Sequence, residues 1–410
     1  MRTKHYLSFL FAVSSMVLFN ACENDVYSPP GEVGSTKELI APADFDWKTT
    51  ASITYTVTSP VNTAVSFYTD KDCTDKGLLA EGVVIKANEP AKVTLEIPTY
   101  KTSVYVQYPT ADGTAVMEAA TDAVTRTKNK DIILPDIKDF EYDNQKGFMH
   151  YYYPSKGEKG TLMFEDLYPH TGDYDFNDFV IAYNVDAFTS NGNKGESRDG
   201  FTMTFQIRAI GGTMPYRPAL RLKGWKVKNL EDAQIKIEST RSDISMALVK
   251  DRGDNEDVIF VFTGTDNLRK DGFYNTRPDK IDNDFPTITC SVIKDNWNLP
   301  LSSSAYAGLA YSLPTYFDFF IQNTDNNNEI HFKGFGPTDM SPQDPNTEFV
   351  QKHKNLVWAI AVPQLIAHPQ EAVDILDVYP AFQGWVSSGG GHGKNEWYTK
   401  KPHDKVIALD

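Results

Sequence analysis

Hydrophobic and polar residues alternate with period two along most of the chain. Ile53, Tyr55 and Val57 interleave with Thr54, Thr56 and Thr58. Val93, Leu95 and Ile97 interleave with Lys92, Thr94 and Glu96, and Val104 and Val106 with Tyr105 and Gln107. Side chains of a strand point alternately to its two faces, so this spacing predicts half-buried strands. Asn88-Glu89-Pro90 and Asp112-Gly113 supply turns between them. Residues 39–125 therefore read as a small Ig-like or transthyretin-like β-sandwich. The basic run Arg126 to Lys130 opens a link over 126–139.

Beyond the link the alternation resumes, predicting a larger, mostly-β domain over 140–405. Phe201, Met203, Phe205 and Ile207 alternate with Thr202, Thr204, Gln206 and Arg208. Leu220 and Leu222, Ile235 and Ile237, Val258 to Phe262, and Ile288, Cys290 and Val292 add strands. One segment has the helical period instead. Asp377 suits an N-cap and Pro380 a first turn, Tyr379, Phe382 and Trp385/Val386 recur at helical spacing, and Gly389 suits the left-handed residue after a helix. The expected fold class is all-β: a small sandwich, then a larger β domain with one short helix near its end.

Two short apolar runs, Thr161 to Phe164 and Phe179 to Val185, read as buried strands, and their connection is crowded with acid. It carries Glu165, Asp166, Asp173, Asp175, Asn177 and Asp178. Like charges ~4 Å apart repel by roughly 4 kcal/mol at an effective dielectric near 20, so folding calls for a cation among them. Asp173, Asp175 and Asn177 fall at positions one, three and five, the spacing at which a calcium loop presents alternate oxygens to one ion. With no Cys nearby and only His170 as a nitrogen donor, the set suits a hard cation such as calcium better than zinc or copper. The loop is not an EF-hand: Asp178 stands where that loop requires glycine, and Asn184 where it requires glutamate. The expected core is Asp173, Asp175 and Asp178, with Glu165 and Asp166 reaching in and Phe176 and Phe179 packing inward. A solvated acidic turn is the alternative.

The stretch FEDLYPHTGDYDFNDFVIAY resembles the signature of the LruC-domain family of Gram-negative surface lipoproteins, Bacteroides-type ones above all. The resemblance continues through Tyr274 to Thr276 (YNT), Glu329 to Phe332 (EIHF), Gly334 to Asp339 (GFGPTD), Trp358 to Pro363 (WAIAVP), Asp377 to Gly390, and Trp397-Tyr398. It implies an all-β surface domain over roughly 140–403 whose acidic motif is similar to those of calcium-binding modules, and it implies no reaction.

The start of the chain bears on location. Arg2 and Lys4 precede an apolar run from Tyr6 to Phe19, too short to span a bilayer and suited to a signal peptide over 1–21. Ala21-Cys22 resembles a bacterial lipobox, which makes Cys22 the expected lipidation site and residues 22–38 a flexible, lipidated tether. Glu23 and Asp25 resemble the acidic signal that exports such lipoproteins to the outer face. The expected location is thus the outer membrane, lipid-anchored and surface-exposed. The formal net charge is −15 and becomes −17 (38 basic against 55 acidic residues) without residues 1–21, a balance that argues against a nucleic-acid partner.

Other chemistry lacks a foothold. The sequence has no CxxC, HExxH or GxSxG motif, and the run Gly389 to Lys394 is one residue short of a phosphate loop, with Asn395 where magnesium binding needs Ser or Thr. Cys73 and Cys290 fall in different expected domains, which argues against a disulfide. Asp251, Asp254, Glu256 and Asp257, and Asp279, Asp282 and Asp284, read as solvated loops. Tyr151, Tyr152 and Tyr153 suit a sheet, with sugar stacking the alternative. The expectation is a non-enzymatic surface lipoprotein with a calcium-stabilised β domain and a structural, adhesive or ligand-binding role. Its expected partners are the membrane, through the anchor, and a glycan or host-matrix ligand. A glycan-binding protein of an uptake system and a glycan-processing enzyme are the alternatives.

Overall fold

Alternation sets the buried faces. Strand Thr50–Thr58 turns Ile53, Tyr55 and Val57 into the core, and it pairs antiparallel with Ala91–Pro98. The structure, a computed structural model, describes residues 31–121, 129–135, 148–190, 198–250, 252–295, 317–391 and 393–407. Cys22, the expected signal peptide and the first part of the tether lie outside the described residues.

The fold is all-β, with short helical segments near its C-terminal end. One long sheet runs in the order Gln234–Ser239, Thr287–Asp295, Arg198–Ala209, Phe179–Ser190, Phe148–Tyr153, Leu78–Ile85, Thr63–Tyr68, Ser103–Thr110, Gly113–Ala120. Gly160–Phe164 pairs with the start of Phe179–Ser190, and Ala359–Val362 pairs with Gly160–Phe164. At one end, Thr50–Thr58 and its neighbours cover this sheet. At the other, a five-stranded sheet carries Phe262, Phe317 and Phe319, whose rings meet Phe201 and Phe205 edge-on at 5.4–5.8 Å. Such tilted contacts suit the ring quadrupoles.

Three sequence-based expectations change here. The segment expected as a link, 126–139, contains strand Asn129–Ile133, which pairs parallel with Thr50–Thr58. Ile132 and Leu134 are buried, and the polar run before them masks that period. Because Leu78–Ile85 pairs with Phe148–Tyr153, the hydrogen-bonded sheet passes without a break from one expected unit to the other. The end of the expected tether is also docked. Ser35 Oγ and the Thr36 backbone N–H each donate to Asp374 Oδ2 at 2.8 Å, and Thr36 is buried.

The third change concerns the helix. The sequence pattern predicts one helix capped by Asp377, but the chain forms two, Ile375–Val378 and Ala381–Ser387. Asp374 caps the first, accepting from Leu376 N at 3.0 Å. A residue before proline is pushed out of the α region, and Tyr379, preceding Pro380, breaks the helix there. Gly389 follows the second helix at φ +61°, the left-handed conformation expected of it.

This pair of helices closes a second aromatic core with residues from the other end of the chain. Phe45 and Trp47 lie against Trp385 at 4.9 and 5.5 Å in edge-on contact, and Phe382 packs on Trp397 at 5.0 Å. Trp47 Nε1 donates to Asn355 O at 2.8 Å. A buried tryptophan in such a cluster holds the first described segment to the C-terminal helices. Trp47→Ala is expected to destabilise the protein by ~3–5 kcal/mol in denaturant unfolding, the usual cost of emptying a buried aromatic site. A loss under ~1 kcal/mol would mean that residues 31–47 are not part of the cooperative core.

Candidate metal centre

The acidic loop is closed at its mouth by sheet pairing. Phe164 stands opposite Phe179, and Asp178 N donates to Phe164 O at 3.1 Å, so residues 165–178 leave and re-enter adjacent strands. Inside the loop the residue types alternate in role. Tyr174 and Phe176 are buried in the second aromatic core, where Phe176 meets the ring of Phe382 at 6.3 Å. Phe179 is fully buried as well, so both expected inward phenylalanines pack on the core.

Tyr174 and Phe176 take φ values of 59° and 51°, a region that side chains with a Cβ rarely enter. Such strain persists only where the surroundings over-determine it. Here it turns the two amides onto one carboxylate: Tyr174 N donates to Glu165 Oε2 at 3.2 Å and Phe176 N to Glu165 Oε1 at 2.7 Å. These two alternate N–H groups, turned inward, form a small anion-binding concavity around the carboxylate. Glu165, the first residue after the strand, fills it and has no solvent contact.

The carboxylate oxygens of Glu165, Asp173 and Asp175 lie within 4.8 Å of one another, with Asp173 at the exposed side. Asp175 Oδ1 accepts from Asn177 N at 3.0 Å and Oδ2 from Ala372 N at 2.8 Å. Asp178 and Asp166 form a neighbouring pair. Asp178 Oδ2 accepts from Asp166 N at 2.7 Å, and Asp166 Oδ2 accepts from Met214 N at 3.0 Å. Asn177 Nδ2 donates to Pro369 O at 3.2 Å, while its buried Oδ1 has no partner among the described residues. Three glycines let backbone approach this closely: a Cβ on Gly172 would fall 2.0 Å from Glu165 Oε2, one on Gly211 1.9 Å from Asn177 Oδ1, and one on Gly212 2.2 Å from Asp166 Oδ2.

No Lys or Arg forms an ion pair with any of these five carboxylates among the described residues. Burial pushes the Glu165 carboxyl well above the usual range, and the charges of Asp175 and Asp173 push it further. Asp175 rises to about 8, through burial and then Asp173. Asp178 is raised by burial, then by Glu165 and Asp166; Asp166 is raised by burial, against the Met214 amide and the Arg269 charge. The loop concentrates negative charge and supplies no internal counter-charge.

Sequence reasoning missed two features. Glu371 arrives at this site from far along the chain. Its N–H donates to Thr276 O at 2.9 Å, and burial and then the Asp173 charge raise its carboxyl against the hydrogen bond from the Thr276 side chain. No local motif marks it; only the hydrogen bond from neighbouring Ala372 to Asp175 places it. The second feature is a sealed charge network formed by EIHF and GFGPTD. His331 Nδ1 meets Asp318 at 2.9 Å and Nε2 meets Glu329 at 2.9 Å, while Arg221 pairs with Asp318 at 2.5 Å. Thr338 donates to Glu329 through N and Oγ1 at 2.6 and 2.7 Å. Burial alone would push the imidazole down, but the carboxylates at its two nitrogens hold His331 above its ordinary value. Two cations and two carboxylates then balance. Asp318, Glu329 and His331 have no solvent contact, so this network braces the five-stranded sheet and faces no substrate.

The remaining motifs are structural or surface features. Tyr151, Tyr152 and Tyr153 are buried and present no sugar-stacking platform. Asp257 opens strand Asp257–Thr263 and pairs with Lys226 at 2.7 Å, Asp282 pairs with Lys270 at 3.5 Å, and Asp251 lies outside the described residues. Cys73 and Cys290 are free thiols.

Comparison with known proteins gives two partial family matches. Residues 199–398 match the "Domain of unknown function (DUF4842)" and residues 63–134 the "Domain of unknown function (DUF4841)". The acidic loop falls between the two matched stretches. No curated protein matches the chain. Among solved structures, the chain is similar to the crystal structure of a "Putative lipoprotein from Bacteroides ovatus", with 20% identity and a TM-score of 0.65 over 84% of this chain and 99% of that one. At that identity the likeness is one of fold.

Proposed function

We propose that the protein is a lipid-anchored outer-membrane lipoprotein, displayed at the cell surface, whose acidic loop is held by one calcium ion. On this reading its role is structural, adhesive or ligand-binding, with a glycan or host-matrix ligand the class that suits the compartment. The GDYDFND loop is then kin to that of LruC-type domains. The observation that carries the metal reading is Glu165, a carboxylate without solvent contact beside the oxygens of Asp173 and Asp175 and with no ion pair to a cationic side chain among the described residues. Taking an ionised carboxylate out of water is costly unless a positive charge meets it. The residues fit a calcium ion: every donor is an oxygen, Gly172 lets the loop backbone pack against the Glu165 carboxylate, and Asn177 Oδ1 is a buried acceptor without a partner among the described residues. Glu165, Asp173 and Asp175 would hold the ion, with Asp166, Asn177, Asp178 and Glu371 around them. A bound cation would supply the positive charge that the loop lacks. The lipoprotein reading rests on the signal-like start, on Cys22, and on the likeness to a protein of that description.

Glycan processing is the weaker reading. That chemistry needs a carboxylate pair open to a sugar. Glu165 and Asp175 are enclosed instead by loop backbone and aromatic rings.

The pH dependence follows in sign from the raised carboxyls. Glu165, Asp175 and Asp178 hold protons more tightly folded than unfolded. Without a cation, stability is therefore greatest below their unfolded values, near ~4, and declines as pH rises toward about 8, where Asp175 ionises. Calcium opposes that decline. The rise in melting temperature between chelator and ~1 mM calcium is expected to be small at pH 5 and larger at pH 8. A site with a dissociation constant of ~0.1 mM adds about 1.4 kcal/mol at that concentration. Asp175→Asn should remove the calcium response and flatten the pH dependence in chelator. Equal melts in chelator and several millimolar calcium at pH 8 would leave a solvated turn.

Anchoring has its own test. Cys22→Ser is expected to move the protein from the membrane fraction to the soluble fraction. Retention on membranes after a high-salt wash would rule out the lipid anchor.

A further inference from the structure

Two sheets that do not pair with each other cover the long sheet, so its cover has a seam. Strand Thr50–Thr58 begins on one side of the seam, and Phe317–Asn323 lies on the other. A cavity of about 80 Å³ sits there, with Tyr153 and Tyr183 of the long sheet in its lining, Thr50 on one side and Phe317 and Phe319 on the other. Trp47 and Phe335 add further rings, and Ala359 and Ala361 stand where longer side chains would fill the space. Protein interiors pack with few voids larger than a water, and an empty void costs stability as its volume grows. One water needs about 10–15 Å³ of such space, so this cavity has room for roughly six, about the bulk of one six-membered ring.

The lining decides which kind of ring. Its polar atoms are already spent: Thr49 Oγ1 donates to Ala361 O at 2.7 Å, Thr50 Oγ1 donates to Glu96, and the Tyr153 and Tyr183 hydroxyls bond each other. A sugar ring would bring in several hydroxyls and find few partners, and each buried one left unmatched costs binding. The mouth carries both signs of charge. Lys48 is exposed, Asp46 Oδ1 accepts from Lys48 N at 3.1 Å, and Lys333 Nζ donates to Phe45 O and Asn355 Oδ1, each at 2.7 Å. That mixture favours neither an acid nor a base. The rings in the wall are tilted against one another, Tyr153 to Tyr183 at 5.5 Å and Tyr183 to Phe319 at 5.9 Å, an arrangement that a further ring would extend.

From this geometry we infer that the seam cavity is a binding site for one neutral aromatic ring, carried by a small molecule whose polar substituent stays at the mouth. No residue of the acidic loop lines it, so the site stands whether or not calcium binds there.

The test is ¹⁹F NMR of 4-fluorobenzyl alcohol titrated with the full chain at fixed calcium and detergent, with detergent alone as the blank. Saturable line broadening is expected, with a dissociation constant on the order of 1 mM. Benzyl alcohol should displace the probe, cyclohexylmethanol about 3–10-fold more weakly, and methyl glucoside not at all. Ala361→Leu fills the cavity and should abolish the broadening while leaving the melting temperature unchanged or higher. Broadening no greater than the blank would overturn the site, as would full binding in Ala361→Leu. Equal displacement by cyclohexylmethanol, or displacement by methyl glucoside, would overturn its choice of an aromatic ring. If Ala361→Leu fails to fold, Phe335→Leu decides: a dissociation constant raised about 3-fold or more supports the site, and an unchanged one counts against it.

Discussion

The architecture around residues 165–178 depends on how one buried carboxylate is accommodated. Glu165 is fixed at the end of a fully buried strand, so its charge cannot turn outward. The loop answers with two inward amides, obtained by holding Tyr174 and Phe176 in the left-handed region. Aromatic burial of those two side chains stabilises that conformation. Neighbouring carboxylates then tie remote segments to the loop, through Ala372 to Asp175 and Met214 to Asp166. On the metal reading, a cation would convert this mutual repulsion into the joint that fastens the C-terminal aromatic core to the long sheet.

Three buried charge sites show three degrees of compensation. Arg221, Asp318, His331 and Glu329 form a closed and balanced set, with imidazolium donating at both ends. Such a network contributes geometry more than net stability, since desolvation offsets much of the attraction. Among the described residues the acidic loop forms no ion pair with a Lys or Arg, although the Arg269 charge draws Asp166 down, and the buried Arg208 guanidinium pairs with no carboxylate. The balanced network is sealed, whereas on the metal reading a cation from outside would complete the electrostatics of the acidic loop.

Much of the fold was legible as period two, because buried faces such as Ile53-Tyr55-Val57 and Phe201-Met203-Phe205 alternate cleanly with polar residues. The link was misread because Ile132 and Leu134 follow a polar run, and a strand pairing in parallel with Thr50–Thr58 leaves no local turn signal. The docking of Ser35 and Thr36 on Asp374 joins positions over 300 apart, which no local pattern encodes. The acidic loop itself was visible from spacing, since Asp173 and Asp175 lie two residues apart after Glu165. Glu371 and the partners of His331 were not, because each reaches its site through tertiary pairing of separate segments.

The central claim is that the loop around Glu165 is a cation site. Isothermal titration of calcium into chelator-stripped protein at pH 8 addresses it most directly. The account predicts binding of one ion per chain with a dissociation constant of about 0.1–1 mM, lost in Glu165→Gln while the fold persists by circular dichroism. An absence of saturable heat, or binding unchanged in Glu165→Gln, would contradict it.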